Sequence, residues 1–141
     1  MTGAPAPGAG RALVVGLGRS GRAAAALLRR RGGEVVAVDS APAEGARAEL
    51  ETLGLEVRAP FDGAVAGLDL VVKSPGVPQG FTPVAAARAA GVPVWGEMEL
   101  AARELPNPVI AITGTNGKTT TTELTAHLLN AAGRPAIACG N

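Results

Sequence analysis

VVGLGRSGRA, residues 14–23, decides how the first half of this chain folds. Val14 and Val15 end an apolar run, Gly16, Gly18 and Gly21 follow in GxGxxG spacing, and an alanine-rich helical pattern takes over from Arg22. A strand that turns into a helix through such glycines gathers backbone N–H groups and the positive end of a helix dipole around a phosphate. Gly16 permits the tight turn, Gly18 lets the backbone approach a phosphate, and Gly21 lets helix and strand pack closely. In a dinucleotide site, Asp39 at the end of the next strand would hold a ribose. Nothing in that geometry chooses which nucleotide binds.

Outward from this turn, short β-branched runs alternate with alanine-rich helical segments. Strands are expected near 11–16, 34–39, 55–58, 69–73, 92–95, 108–113 and 135–139, and helices at 19–31, 43–53, 83–90, 97–104 and 118–132. Such repetition predicts an α/β fold, a Rossmann-like parallel sheet with helices on its faces. Thr82 before Pro83 reads as a helix N-cap, and Gly32, Gly33, Gly54, Gly91 and Gly133 fall where helices should stop. Arg29, Arg30 and Arg31 complement the dipole at the end of the first helix and read as a solvated helix terminus.

Composition narrows the class. The chain has 141 residues, 47% of them apolar, with two Phe, one Trp and no Tyr, so Val, Leu, Ile and Ala must fill the interior. A net charge of +1 and the scarcity of aromatics provide neither a basic stripe nor a stacking platform, which argues against nucleic acid or a membrane as partner. The single cysteine, Cys139, cannot form an internal disulfide and fits a reducing cytoplasm. No apolar run approaches the ~20 residues of a membrane helix. Residues 1–10, MTGAPAPGAG, read as a flexible arm.

A seam lies between Trp95 and Asn107, where the helix GEMELAARE and the prolines of LPNP separate the fifth strand from a fresh one. The expected organisation is a Rossmann-like domain over 11–95 and, over 96–141, the incomplete start of a phosphate-loop domain with the short helix bridging. Roughly 45 residues are fewer than a domain usually needs to stand alone.

The fresh strand runs into AITGTNGKTTTTEL, residues 111–124. An apolar strand, a tight glycine loop, Lys118, two hydroxyl residues and a helix make the phosphate loop of a nucleoside triphosphate enzyme. Backbone N–H groups of residues 115–120 can point into one concavity, Lys118 reaches the β and γ phosphates, and Thr119 is placed to ligate Mg²⁺. The general GxxxxGK[ST] pattern wants glycine where this chain has Ile112; the first loop glycine is instead Gly114. Other candidates are bland. Glu97 and Glu99 point to different helix faces, His127 reads as a surface or partly buried side chain, and no Cys, His and carboxylate cluster has metal-ligand spacing.

Gly114, Thr115, Asn116, Gly117, Lys118, Thr119 and Thr120 spell GTNGKTT, and this form of the loop resembles that of the Mur ligases, the ATP-dependent amino-acid-adding enzymes of peptidoglycan synthesis. Together with GLGRSG, SPGV at 74–77 and GEMEL at 96–100, the resemblance covers residues 11–141 and points to the D-glutamate-adding branch. It implies that the first domain holds the UDP of the substrate UDP-N-acetylmuramoyl-L-alanine rather than a nicotinamide. Gly18, Arg19 and Ser20 would line the diphosphate; Asp39, Ser40, Ser74, Pro75 and Gly76 would lie near the uridine; and Asn141 would begin a further sugar-nucleotide contact. Where the family often carries a basic residue after the Asp-Ser pair, this chain has Ala41. The resemblance further implies a cytoplasmic enzyme taking D-glutamate as its second substrate, with a monomeric state expected. It also implies that the remaining magnesium ligands, in the rest of the central domain, and the C-terminal domain with the amino-acid pocket lie beyond residue 141, so this stretch alone would be inactive. A sibling ligase adding another amino acid, a nicotinamide-binding module and a pure binding fragment remain the alternatives.

Overall fold

A computed structural model describes residues 10–40, 45–58 and 65–140. Its compact units divide between Pro106 and Asn107. The first is a five-stranded parallel sheet built from β1 (Arg11–Val15), β2 (Glu34–Val38), β3 (Glu56–Arg58), β4 (Leu70–Lys73) and β5 (Val94–Gly96), in the order β3-β2-β1-β4-β5. Four helices accompany it: α1 (Arg19–Arg30), α2 (Ala46–Thr52), α3 (Thr82–Ala89) and α4 (Glu97–Glu104).

The central strand explains why its sequence is an unbroken apolar run. Val14 and Ala12 face one layer with Ala24, Ala25 and Leu28 of α1 and Leu100 of α4, while Leu13 and Val15 face the other with Val84 and Ala87 of α3. A strand covered on both faces has no solvent side on which a polar residue could alternate. Small residues on α1 bring the helix close to the sheet: at Gly21 a Cβ would lie 1.8 Å from the Gly16 carbonyl oxygen.

Helix ends follow one local rule. After α1, α2 and α3 comes a residue and then a glycine with positive φ, namely Gly32, Gly54 and Gly91. The next amide donates back into the last turn, as in Gly33 N–H to Leu28 O at 3.1 Å and Val92 N–H to Ala87 O at 2.9 Å. This left-handed cap satisfies carbonyls that would otherwise be orphaned. At the start of α3 the expectation fails: Phe81, not Thr82, is the N-cap, Thr82 lies inside the helix and no side chain caps it. Phe81 packs against the apolar layer beneath α3, and that packing sets where the helix begins.

Among the arginines closing α1, Arg29 and Arg30 are exposed, whereas Arg31 pairs with Glu104 of α4. Its Nε donates to Glu104 Oε2 at 2.7 Å, tying the C-terminal ends of the two helices. α4 packs on α1, β4 and β5, so it is part of the first unit's fold.

The second unit contains α5 (Lys118–Ala131), closed by Gly133 in the same left-handed manner. Segments 108–113 and 135–139, expected as strands, have no ladder partner among the described residues and are not strands. A parallel strand is defined by its neighbours, and an apolar PVIAIT run cannot supply them by itself. Asn130 instead holds the second segment against α5: its Nδ2 donates to Ala136 O and its Oδ1 accepts the Ala136 N–H, at 2.8 and 3.1 Å.

The expected arm falls outside the described residues apart from Gly10, as do Ala41 and Asn141. None of the described helices is long and apolar enough to cross a membrane.

Candidate nucleotide sites

β1 lies between β2 and β4, so chain direction across the sheet reverses its order at β1 and β4. A crevice opens at the carboxyl ends of strands at such a switch point. It is occupied here by a cavity of about 400 Å³, within the range of small-molecule sites. Gly16 and Gly18 line it from the turn after β1, Ser20 from α1, Asp39 and Ser40 from the end of β2, and Ser74, Pro75 and Gly76 from the end of β4. Seven residues expected at the substrate diphosphate and uridine (Gly18, Ser20, Asp39, Ser40, Ser74, Pro75 and Gly76) are thus brought together. Arg19 is exposed and does not line the cavity.

The glycine turn is held one backbone group at a time. Gly16 N–H donates to Val38 O at 2.8 Å, and Gly16 O accepts the buried Ser74 hydroxyl at 3.0 Å. Leu17 N–H donates to Asp39 Oδ2 at 2.5 Å, and Leu17 O accepts Arg22 Nη1 at 3.2 Å. Gly18 O accepts the Arg22 N–H at 3.0 Å. Of these three residues' backbone groups, only the Gly18 N–H has no partner among the described residues, and Gly18 lines the cavity as N-cap of α1.

Each glycine of the turn has its own reason. Gly16 has φ of +92°, and a Cβ there would sit 2.8 Å from Val77 and 2.9 Å from Ser74. Gly21 is required by the close approach of α1. Gly18 has φ of −63° and open space around a would-be Cβ, so no neighbour among the described residues demands glycine. Room for a ligand is the remaining physical use of a bare backbone at that point.

The cavity is chemically two-sided. The Gly18 amide and the hydroxyls of Ser20 and Ser40, which make no hydrogen bonds among the described residues, give it free polar groups. Val15, Val77, Pro78 and Phe81 give it apolar lining. Such a site suits a phosphorylated ligand with a flat, partly apolar portion. Sequence reasoning quoted Val77 within SPGV without placing it at the site, and missed Pro78 and Phe81, which follow that turn, and Arg22, a cation beside the buried Gly21–Ala25–Leu28 stripe of α1.

Within the second unit, Gly114 to Gly117 form an exposed loop running into α5, whose first turn holds Lys118 to Thr120 and whose N-cap is Gly117 in the left-handed region at φ of +76°. Lys118 folds back over the loop: its Nζ donates to Gly114 O at 2.7 Å and to Thr115 O at 3.4 Å. Hydroxyls of Thr122 and Thr125 are used within the helix, on Lys118 O and Thr121 O, whereas those of Thr119 and Thr120 make no hydrogen bond among the described residues. A free hydroxyl in the first turn, beside unbonded helix-terminal amides and a lysine, fits a phosphate-bound divalent cation. His127 is exposed, Glu99 pairs with Arg103 at 2.8 Å, and no group of three or more potential metal ligands occurs among the described residues.

Two protein families match separate stretches of the chain. Residues 10–96 match the N-terminal domain of MurD-like Mur ligases, and residues 112–141 match the Mur ligase middle domain. Relatives include the UDP-N-acetylmuramoylalanine–D-glutamate ligases of Salinibacter ruber, 48% identical over 93% of this chain, and of Myxococcus xanthus, 50% identical over 92%. The chain spans 30% of the length of each. Among solved structures, the UDP-N-acetylmuramate-alanine ligase of Thermotoga maritima superposes with a TM-score of 0.60 at 28% identity, covering 87% of this chain and 29% of that one. The UDP-N-acetylmuramate:L-alanyl-γ-D-glutamyl-meso-diaminopimelate ligase of Neisseria meningitides gives 0.61 at 27% identity, covering 88% of this chain and 40% of that one. The match to the MurD-like N-terminal domain alone takes in more than half of the chain, and the chain belongs to the Mur ligase family.

Proposed function

We propose that this chain is the N-terminal portion of an ATP-dependent ligase that adds D-glutamate to UDP-N-acetylmuramoyl-L-alanine in the cytoplasm. The observation that carries the reading is the presence of two separate phosphate-binding turns. One, GTNGKTT, has the form used for a triphosphate; the other, GLGRSG, is therefore available for the diphosphate of the substrate itself. In the first unit the Gly18 amide and Ser20 meet the diphosphate, with Asp39, Ser40 and the Ser74–Gly76 turn at the uridine end. The names of the relatives above support D-glutamate as the amino acid added.

In the complete enzyme the γ-phosphoryl of ATP passes to the terminal carboxylate of the UDP-sugar, leaving ADP. The D-glutamate amine displaces phosphate from the resulting acyl phosphate and forms the amide. Lys118 and the amides of residues 115–120 stabilise charge on the phosphoryl oxygens in flight, the main source of catalysis in such transfers. Thr119 would hold Mg²⁺, which neutralises the phosphate oxygens. For the charge to be met, Lys118 Nζ must exchange its carbonyl partners for phosphate oxygens, a short excursion for an exposed side chain.

Titration of the chain with UDP-N-acetylmuramoyl-L-alanine and, separately, NADH tests the first site by thermal shift or calorimetry. A ligand at 100 times its Kd should add about 2.7 kcal/mol of stability. Stabilisation by NADH and not by the UDP compound would overturn the assignment. For the second site, Lys118→Ala in the full-length protein is expected to abolish acyl phosphate formation and to leave UDP-sugar affinity within about twofold, since the lysine serves only the phosphoryl transfer. Normal turnover in that variant would refute the role of the loop.

A further inference from the structure

We infer that Asp39 and Arg22 act as a positioning pair that pins the peptide groups on both sides of Leu17, and so aims the free Gly18 N–H at the ligand's phosphate. The inference rests on the reading of the cavity as a nucleoside-diphosphate site, and it assigns Arg22 a part in that site.

Leu17 stands between two glycines, the residues that give a backbone most freedom, yet the turn must hold one shape to present an amide usefully. Three anchors supply that shape. The Leu17 side chain is buried in the layer beneath α1, its N–H is held by the Asp39 carboxylate at 2.5 Å, and its carbonyl by the Arg22 guanidinium at 3.2 Å. Bonds in which one partner is charged are the shorter and stronger kind. Arg22 is itself oriented: its Nε meets Glu49 Oε2 of α2 at 2.8 Å, while its own backbone N–H bonds Gly18 O. One residue thus closes the turn with both its main chain and its side chain, and Glu49 aims the guanidinium. An exposed pair of this kind adds little stability. Its use is geometric.

The pair also changes what Asp39 does. A carboxylate at the end of β2 reads naturally as a hydrogen-bond acceptor for a base or a ribose. Here Oδ2 is engaged with the turn, so a substitution at Asp39 should act first on the amide that faces the phosphate and weaken all nucleoside diphosphates alike.

Two measurements on the 141-residue chain test this: amide hydrogen exchange at Leu17, and calorimetric affinity for UDP and CDP. Asp39→Ala and Arg22→Ala should each speed exchange at this amide and weaken both nucleotides by roughly tenfold, the scale of one charge-assisted bond, leaving the UDP to CDP ratio unchanged. Asp39→Asn, whose amide oxygen still accepts the Leu17 N–H, should recover most of the protection. A changed UDP to CDP ratio in Asp39→Ala with wild-type exchange at Leu17 would mean that Asp39 reads the base and would overturn the inference. So would wild-type exchange and wild-type affinity in Arg22→Ala. Loss of protection in both variants of a chain whose wild type binds no UDP would support the clamp and overturn the nucleotide reading instead.

Discussion

Gly18 and Gly21 are three residues apart in the same motif and are glycine for unrelated reasons. At Gly21 a methyl group would meet the Gly16 carbonyl oxygen at 1.8 Å, and backbone cannot yield as a flexible side chain does. Gly21→Ala is expected to destabilise the first unit by about 1–3 kcal/mol or more, as overpacking does, seen as a lowered denaturation midpoint. At Gly18 the same methyl enters open space with φ already negative, so Gly18→Ala should leave the midpoint within about 0.5 kcal/mol of wild type. Its effect should fall on UDP affinity, reduced at least about tenfold where the methyl displaces a phosphate from the bare amide. Equal loss of stability in both variants would sink this distinction. Ser74 shows a similar division between identity and role. Its hydroxyl is buried and donates to Gly16 O, so it shapes the turn from the cavity wall, while the hydroxyls of Ser20 and Ser40 have no partner among the described residues.

α1 and α5 both follow a glycine turn, but their apolar residues have different fates. α1 buries Ala24, Ala25 and Leu28 against the sheet, with Leu28 at 1% exposure. α5 buries none of its residues, and Leu128 is 58% exposed. In the 141-residue chain, Leu28→Ala should cost about 2–5 kcal/mol, lowering Tm by roughly 10–25 °C, whereas Leu128→Ala should lie within about 0.5 kcal/mol of wild type. Thermal melts followed by circular dichroism separate the two. What keeps α5 ordered is local: a glycine N-cap, threonine hydroxyls bonded to carbonyls a turn earlier, a left-handed glycine cap, and the Asn130 bridge to Ala136.

Across the whole chain, the core belongs to the first unit. Every buried apolar side chain among the described residues lies between Ala12 and Leu100. A chain ending at Pro106 is therefore expected to retain the unfolding transition and the UDP affinity of the 141-residue form, measured by denaturant titration and calorimetry. A fall of more than about 1 kcal/mol would show that residues beyond 106 support the first fold. ATP binding, by contrast, should vanish with the removed loop.

Sequence by itself determined the strands of the first sheet, the helices between them and the two glycine turns, because each is written locally: β-branched runs for strands buried on both faces, glycines where φ must be positive, and GTNGKTT before a helix. Element limits were legible to within a few residues. It could not show that 108–113 and 135–139 remain unpaired, since pairing depends on a neighbour and not on propensity. The start of α3 likewise depended on where Phe81 packs. Only the tertiary structure decided which residues meet at the switch point, bringing Ser20, Asp39 and Ser74 from three distant parts of the chain to one cavity of about 400 Å³. It also separated Arg19, adjacent in the motif but outside the cavity, from Arg22, which grips the turn. Helix geometry does not separate the two, since residues three apart lie about 60° apart around the axis; they differ because the glycine turn folds back to bring the Leu17 carbonyl to Arg22, one turn into α1, while Arg19 at its first position stays exposed.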